Sequence, residues 1–126
     1  MVFTDAELEY LRSQRLGRLA TVAPDGSLQN SPVGFDVEAE TGVISIHGRD
    51  LAKTRKFHNV GANGKVAFVV DDIVSLDPWN VRCLEIRGTA EALSVEDPVI
   101  RIHPRRIISW GMGADGQEGS KRNVDS

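Results

Sequence analysis

Four cations, Arg49, Lys53, Arg55 and Lys56, fall within eight positions of "GRDLAKTRKFHNV" (48 to 60), a stretch that reads as a short helix. Cations near a helix N-terminus meet the positive end of the helix dipole, which is unfavourable unless something else sets the sign. Two readings compete: a solvated charged face, which surface Lys and Arg commonly form, and a seat for a ligand's anionic group. Three features favour the anion. Asp50 suits an N-cap, which would put Lys53 and its neighbours in the first turns, where free backbone N–H groups favour negative charge. The strand before it ends in His47-Gly48, and a glycine there lets the backbone approach a ligand closely. Thr54 adds a hydroxyl beside Arg55, whose planar fork matches phosphate oxygens in pairs.

Other chemistries find no such grouping. No Ser-His-Asp order, paired-carboxylate motif or metal-ligand spacing stands out, and His47, His58 and His103 lie on different elements, where a lone histidine is more often structural than catalytic. The single cysteine, Cys83, excludes an intramolecular disulfide and a cysteine metal cage, as expected in a reducing cytoplasm. A chain with a cationic turn and no nucleophile is what a cofactor enzyme needs, because there the cofactor carries the chemistry and the protein supplies position and electrostatics.

The elements that must position this turn are readable in outline. With 126 residues, the chain suits one compact domain. A net charge of −3 and a pI near 5.6 argue against bulk attraction to nucleic acid or membrane, so any basic function is local. No targeting signal opens the chain and no apolar run approaches the roughly 20 residues of a membrane span, so a cytoplasmic protein is expected.

Thr4-Asp5-Ala6-Glu7 has capping-box spacing and predicts a helix over 4–14. "LGRLATVA" (16 to 23) and "SLQNSPVGFDV" (27 to 37) flank Pro24-Asp25-Gly26 and predict a hairpin. "VISIH" (43 to 47) is a third strand, and the apolar run Val66 to Val70 in "KVAFVVDD" (65 to 72) predicts a fourth, covered on both faces. A loop containing Asp77-Pro78-Trp79 leads to the clean alternation of "RCLEIRGTAEAL" (82 to 93), and "VIRIHPRRIISW" (99 to 110) is a strand that Pro104 places at an edge or bulge. Six strands and two short helices point to a small antiparallel barrel, since closure removes exposed edges. A domain over 1–111 followed by a flexible tail over 112–126, rich in glycine with little to bury, completes the expectation.

The order strand, "TRK", helix, "ANGKVAFVV" resembles the pyridoxamine-phosphate-oxidase-like split-barrel flavoproteins. "YLRSQRLGRLATVAPDGSLQNSPVGF", "KTRKFHNV", "VAFVVDDI", "DPWNVR", "EIRGTAEAL" and "IRIHPRRIISWG" resemble the actinobacterial branch that uses the deazaflavin coenzyme F420, so the likeness runs from about residue 3 to 111. The resemblance implies a mainly β fold, a six-stranded antiparallel split β-barrel of the FMN-binding kind with short flanking helices. It also implies a homodimer with its cofactor at the subunit interface. Matched position by position, Thr54, Arg55 and Lys56 correspond to the phosphate motif, and His47 and Gly48 to the strand end beside it. Asn30, Ser31, Pro32 and Val33 correspond to the strand whose main chain borders the ring system. Pro32 would break the ladder and free adjacent amides for a flavin-like edge, or else mark an irregular edge strand. Trp79 would cover the ring from the partner subunit, or simply pack at an interface. The chain has Asn63-Gly64 where the family pattern has Asn-Pro, which loosens that turn.

The expected function is an F420-dependent oxidoreductase passing a hydride to a small unsaturated or quinone-like substrate. Arg49 and Lys53 widen the cationic cluster beyond one phosphate, which suits the polyanionic tail of F420 better than FMN. The alternatives are an FMN-binding oxidoreductase of the same fold and a non-catalytic flavin or tetrapyrrole carrier. An RNA-binding small barrel is disfavoured by the acidic pI and the lack of a strand-borne aromatic pair.

Overall fold

The computed structural model describes residues 2–112 and 119–124. Helix α1 (Asp5–Ser13) starts on the predicted capping box: the Thr4 hydroxyl accepts the Glu7 N–H at 3.1 Å, and the Glu7 carboxylate accepts the Thr4 N–H at 2.9 Å. The first hairpin pairs β1 (Leu16–Val22) with β2 (Leu28–Gly34) from Leu16↔Gly34 to Val22↔Leu28, and Gly26, at φ 86°, makes the turn. Beyond β2 come the short β3 (Asp36–Val37) and β4 (Ile44–Ile46), then a 3-10 turn (Leu51–Lys53) and helix α2 (Arg55–Ala62). Three long strands follow, β5 (Lys65–Leu76), β6 (Trp79–Leu93) and β7 (Val99–Trp110), and the last described strand is β8 (Gly119–Asn123).

All pairings are antiparallel, in the order β2-β1-β5-β6-β7-β4-β3 with β8 also on β7. Such a curled sheet with two helices is the split barrel that the sequence implied. Eight strands replace the predicted six because residues 27–37 divide into β2 and β3, and because β8 lies in what was expected to be tail. Strand β7 serves two neighbours on one edge, β4 along Ile100 to Ile102 and β8 along Arg106 to Trp110. Pro104 sits at a bulge, as its missing N–H requires. The β6–β7 register shifts there, Arg87 facing Arg106 and Gly88 facing Pro104, and a Cβ on Gly88 would lie 2.2 Å from the His103 carbonyl oxygen.

Inward side chains of these strands form the core: Leu19, Val33, Ile44, Ile46, Phe68, Val70, Leu84, Ile86, Ile100, Ile102 and Ile107, closed by Leu8, Leu11, Phe57 and Val60 from the helices. The β5 expectation needs correction. Val66, Phe68 and Val70 are buried, but Ala67 and Val69 on the other face are only half-buried within this chain. The predicted loop around Asp77-Pro78-Trp79 shrinks to a two-residue connection, because β5 and β6 run outward as a hairpin in which Leu76 faces Trp79. Ile73, Val74, Leu76 and Trp79 at its tip are all more than half exposed.

The C-terminal expectation also changes. Residues 113–118 and 125–126 of the expected flexible tail lie outside the described residues, but Gly119–Asn123 is an ordered strand. Its anchor is Arg122, which donates to the Glu7 carboxylate at 2.9 Å and to the Val2 carbonyl at 2.8 Å. Burial alone would raise the Glu7 pKa. The hydrogen bonds from Arg122 and the Thr4 N–H outweigh it and hold the carboxyl below its ordinary range. A similar tie joins α1 to the β5–β6 hairpin: Arg82 donates twice to Asp72, at 2.7 and 3.1 Å, and the Tyr10 hydroxyl donates to the same carboxylate at 2.8 Å. Burial and that bond push the Tyr10 hydroxyl well above an ordinary phenol.

Candidate functional site: a cationic cleft between the first hairpin and helix α2

The basic stretch is not one helix. Asp50 adopts left-handed backbone (φ 55°) and makes no side-chain cap, contrary to its predicted role, and a 3-10 turn follows. Thr54 is the real N-cap. Its hydroxyl accepts the Phe57 N–H at 3.3 Å and donates to the Leu51 carbonyl at 2.7 Å. That hydroxyl proton is therefore already engaged, so Thr54 shapes the turn and does not present a free donor. The cap also resets the register of the cluster: Arg55 and Lys56 become the first two residues of α2, while Lys53 falls in the turn before it.

Arg49, Lys53 and Arg55 are exposed and Lys56 is half-buried. Among the described residues none of the four makes an ion pair, whereas Arg18, Arg82, Arg87, Arg101 and Arg122 all do. Gly48 is exposed, and a Cβ there would meet nothing nearer than the Leu51 side chain at 4.0 Å. No internal contact therefore demands glycine at that position. His47 is exposed, with Nδ1 3.4 Å from the Asp97 carboxylate.

Arg55 faces a cleft of about 460 Å³ walled by the β1–β2 turn (Ala23, Pro24, Asp25, Ser27), Gln29 and Asn59. Asp25 on its rim accepts both the Ser27 hydroxyl at 2.6 Å and the Ser27 N–H at 3.0 Å. Those bonds, with a smaller pull from Arg55, hold its carboxyl below the ordinary value. Asn59 was not singled out by the sequence. It is 1% exposed, and its amide nitrogen donates to Thr21 Oγ1 at 3.1 Å and Gln29 Oε1 at 3.2 Å, which fastens α2 to both strands of the hairpin. Its carbonyl oxygen, like Ser31 Oγ, is buried without a partner. One signal was available: an asparagine on the apolar face of a short helix, between Phe57 and Val60.

The β2 residues divide by face. Gln29, Ser31 and Val33 turn inward, with Val33 in the core, while Asn30 and Pro32 turn outward. Asn30 borders a separate hollow of about 280 Å³ with Arg18, Ala20, Ala67, Val69 and Glu85. Pro32 does not break the β1–β2 ladder as predicted, since the pairing runs unbroken through Arg18↔Pro32. It is tolerated because β2 is the last strand of the sheet and no strand among the described residues pairs with its far edge. Trp79, at the hairpin tip, is 65% exposed and lines neither of these two hollows.

Bare cations, buried polar atoms without partners and an open strand edge are what an anionic, hydrogen-bonding cofactor needs, so the residues present fit one. A split barrel with such a cleft defines a class of cofactor-binding β proteins. Within it, residues 3–124 match the pyridoxamine 5'-phosphate oxidase family, and the chain belongs to that family. It is 48% identical over 128 aligned positions to the 5a,11a-dehydrotetracycline/5a,11a-dehydrooxytetracycline reductase of Streptomyces rimosus subsp. rimosus, covering 94% of this chain and 90% of that protein. Among solved structures it is similar to an F420 reductase, at 26% identity and a TM-score of 0.55 over 71% of this chain and 86% of the other. It also shares its fold with a conserved hypothetical protein from Mycobacterium tuberculosis, at 22% identity and a TM-score of 0.74 over 100% of this chain and 94% of the other.

Proposed function

We propose that this protein is an F420-dependent reductase that delivers a hydride to a small molecule with a polarised carbon–carbon double bond. The observation that carries the reading is the set of four cations around Gly48 and the start of α2 that have no ion-pair partner among the described residues, in a chain nearly half identical to a named reductase. That relative acts on 5a,11a-dehydro compounds, which supports an unsaturated substrate, and the likeness to an F420 reductase supports the coenzyme. When bound, reduced F420 would supply the hydride. Arg55 and Lys56, with the first N–H groups of α2, would hold the phosphate, and Gly48 would let the main chain close on it. Lys53 and Arg49 would hold the acidic tail. The open edge of β2 from Asn30 to Val33 would border the ring.

The same reading includes a cytoplasmic homodimer. Half-buried Ala67 and Val69 and exposed Leu16, Leu28 and Trp110 give the barrel's outer surface apolar area that a second copy would cover. The projecting tip with Trp79 would then reach across to shelter the partner's ring from water. No helix among the described residues is long and apolar enough to cross a membrane, and no nucleic-acid or membrane partner is proposed.

FMN is the second reading, because one phosphate on Arg55 and Lys56 would satisfy the inner pair of cations. Fluorescence titration of the purified protein with F420 and with FMN separates the two. The F420 reading predicts tighter binding of F420 and, when the protein is given reduced F420 and an enone, oxidation of the coenzyme matched by reduction of the enone's double bond. A yellow protein that retains FMN through purification and ignores F420 would replace it.

A further inference from the structure

Beyond the barrel, β5 and β6 run on alone. Among the described residues β1 leaves β5 after Arg18↔Val69 and β7 leaves β6 after Cys83↔Trp110, so from the rung Asp72↔Arg82 outward the hairpin is an arm with no third strand on either side. Such a two-stranded ribbon is marginal in water by itself, and the register shift between Ile73 and Ser75 adds twist to it. Its base is nevertheless held from two sides. Tyr10 of α1, 3% exposed, donates its hydroxyl to Asp72 at 2.8 Å, and the Arg82 guanidinium lies over its ring, 4.8 Å from the centroid. Gly111, just past β7 at φ 80°, runs so close that a Cβ on it would lie 2.7 Å from the Val81 carbonyl oxygen and 3.0 Å from the Arg82 side chain. The two bonds from Arg82 to Asp72 tie the strands of the arm to each other, whereas Tyr10 ties the arm to the body of the barrel. The tip at Leu76 and Trp79 is four residues out from that rung, about 13 Å at strand rise, so a swing of about 10° at the base would carry it about 2 Å. Misplacement by about 1 Å beside reacting groups can cost about a hundredfold in rate.

We propose that Tyr10 is a positioning residue: by fastening the base of the arm to α1 it sets where the tip stands over the coenzyme ring of a second copy. This rests on the homodimeric reading above and adds the part that aims the tip. Arg55 and its neighbours then act on coenzyme affinity, and Tyr10, which touches no ligand, acts on turnover through Trp79.

The test uses the full chain and two readouts. The first needs no coenzyme: in a Trp110→Phe background Trp79 is the sole tryptophan, and its nanosecond fluorescence anisotropy should report wider local motion once Tyr10→Phe is added. The second is enone reduction at saturating reduced F420. Tyr10→Phe is expected to lose about fivefold in turnover, the weight of one hydrogen bond, with F420 affinity within about twofold of the parent. Ile100→Val, a core truncation of similar cost to the fold on a buried stretch of β7, should change neither readout. In a Trp79→Ala protein, Tyr10→Phe should cost nothing further, whereas residues this far apart ordinarily act independently. Unaltered Trp79 motion in Tyr10→Phe would overturn the proposal, as would an equal loss of turnover in Ile100→Val or Tyr10 and Trp79 losses that multiply. A Trp79→Ala protein as active as the parent would also overturn it, with the F420 reading left standing. A parent that oxidises no reduced F420 with any enone removes the coenzyme reading instead, and the anisotropy then decides alone whether Tyr10 fixes the arm.

Discussion

Where α1 meets β8, the Glu7 carboxylate is 2% exposed and is met by Arg122 and the Thr4 N–H, whereas beside α2 four cations have no carboxylate partner among the described residues. Both regions concentrate charge at a helix start. In the first, every strong group is answered within the chain, so the charge fixes one terminal strand against one helix. In the second, Thr54 caps the helix and the Asn59 amide nitrogen fastens it to the hairpin, while Arg55 is left open toward the cleft and Lys56 has no ion-pair partner among the described residues. Charge answered internally acts on stability, and charge left open acts on whatever arrives from outside.

That contrast breaks most visibly at Arg122. Arg122→Ala would leave the Glu7 carboxylate buried and unpaired and should cost about 3 kcal/mol, the low end for a broken buried pair because Arg122 itself is partly solvated. Urea unfolding measures it. The pH dependence should weaken as well. In the parent the Glu7 pKa lies below its ordinary 4.5, so the folded state binds fewer protons there, and its contribution is full above that value and lost as the pH falls through the folded pKa. Without Arg122, only the Thr4 N–H and Ser109 bonds oppose burial, so the carboxyl's pKa should rise from its parental level and the variant should lose less stability on acidification than the parent does. Coenzyme affinity should hardly move.

Arg55→Ala is the converse experiment. It should weaken F420 binding by about 1.5–3 kcal/mol in a fluorescence titration while leaving the unfolding midpoint unchanged. A destabilised fold with unaltered binding would mean that Arg55 belongs with Arg122. Tyr10→Phe sharpens the structural side at smaller scale: Asp72 keeps both bonds from Arg82, so a loss of about 1 kcal/mol is expected in the same denaturation assay. The smallest effect is expected at the outer cations. Lys53→Ala should lower F420 affinity by about 0.5 kcal/mol, as an exposed charge does. The loss should shrink at higher salt and be absent with FMN, whose single phosphate does not reach that far.

The contrast also accounts for what could be read before the fold was known. Local chemistry was legible: the Thr4/Glu7 capping box, the Pro24-Asp25-Gly26 hairpin turn and the bulge at Pro104 each appear where their sequence placed them. What sequence could not supply depended on residues far apart in the chain. Gly119–Asn123 has little to bury, and it is ordered because β7 offers an edge and Arg122 finds Glu7, a partner 115 residues away. Asp50 looked like a cap, but Thr54, four residues on, takes the role because the intervening turn closes as a 3-10 helix. The cationic site was visible as a composition, while its wall, Asn59 with Gln29 and Asp25, needed the hairpin folded onto α2.

The divided edge of β7 has one more implication. Between Arg106 and Trp110 its outward N–H and C=O groups are matched by the terminal strand alone. A polypeptide cut after Gly111 would retain the barrel's long hairpins but would carry a raw, apolar strand margin beside Ile107, with the Glu7 carboxylate stranded below it. Such margins recruit other chains, so trimming the C-terminus for expression would invite insoluble ladders.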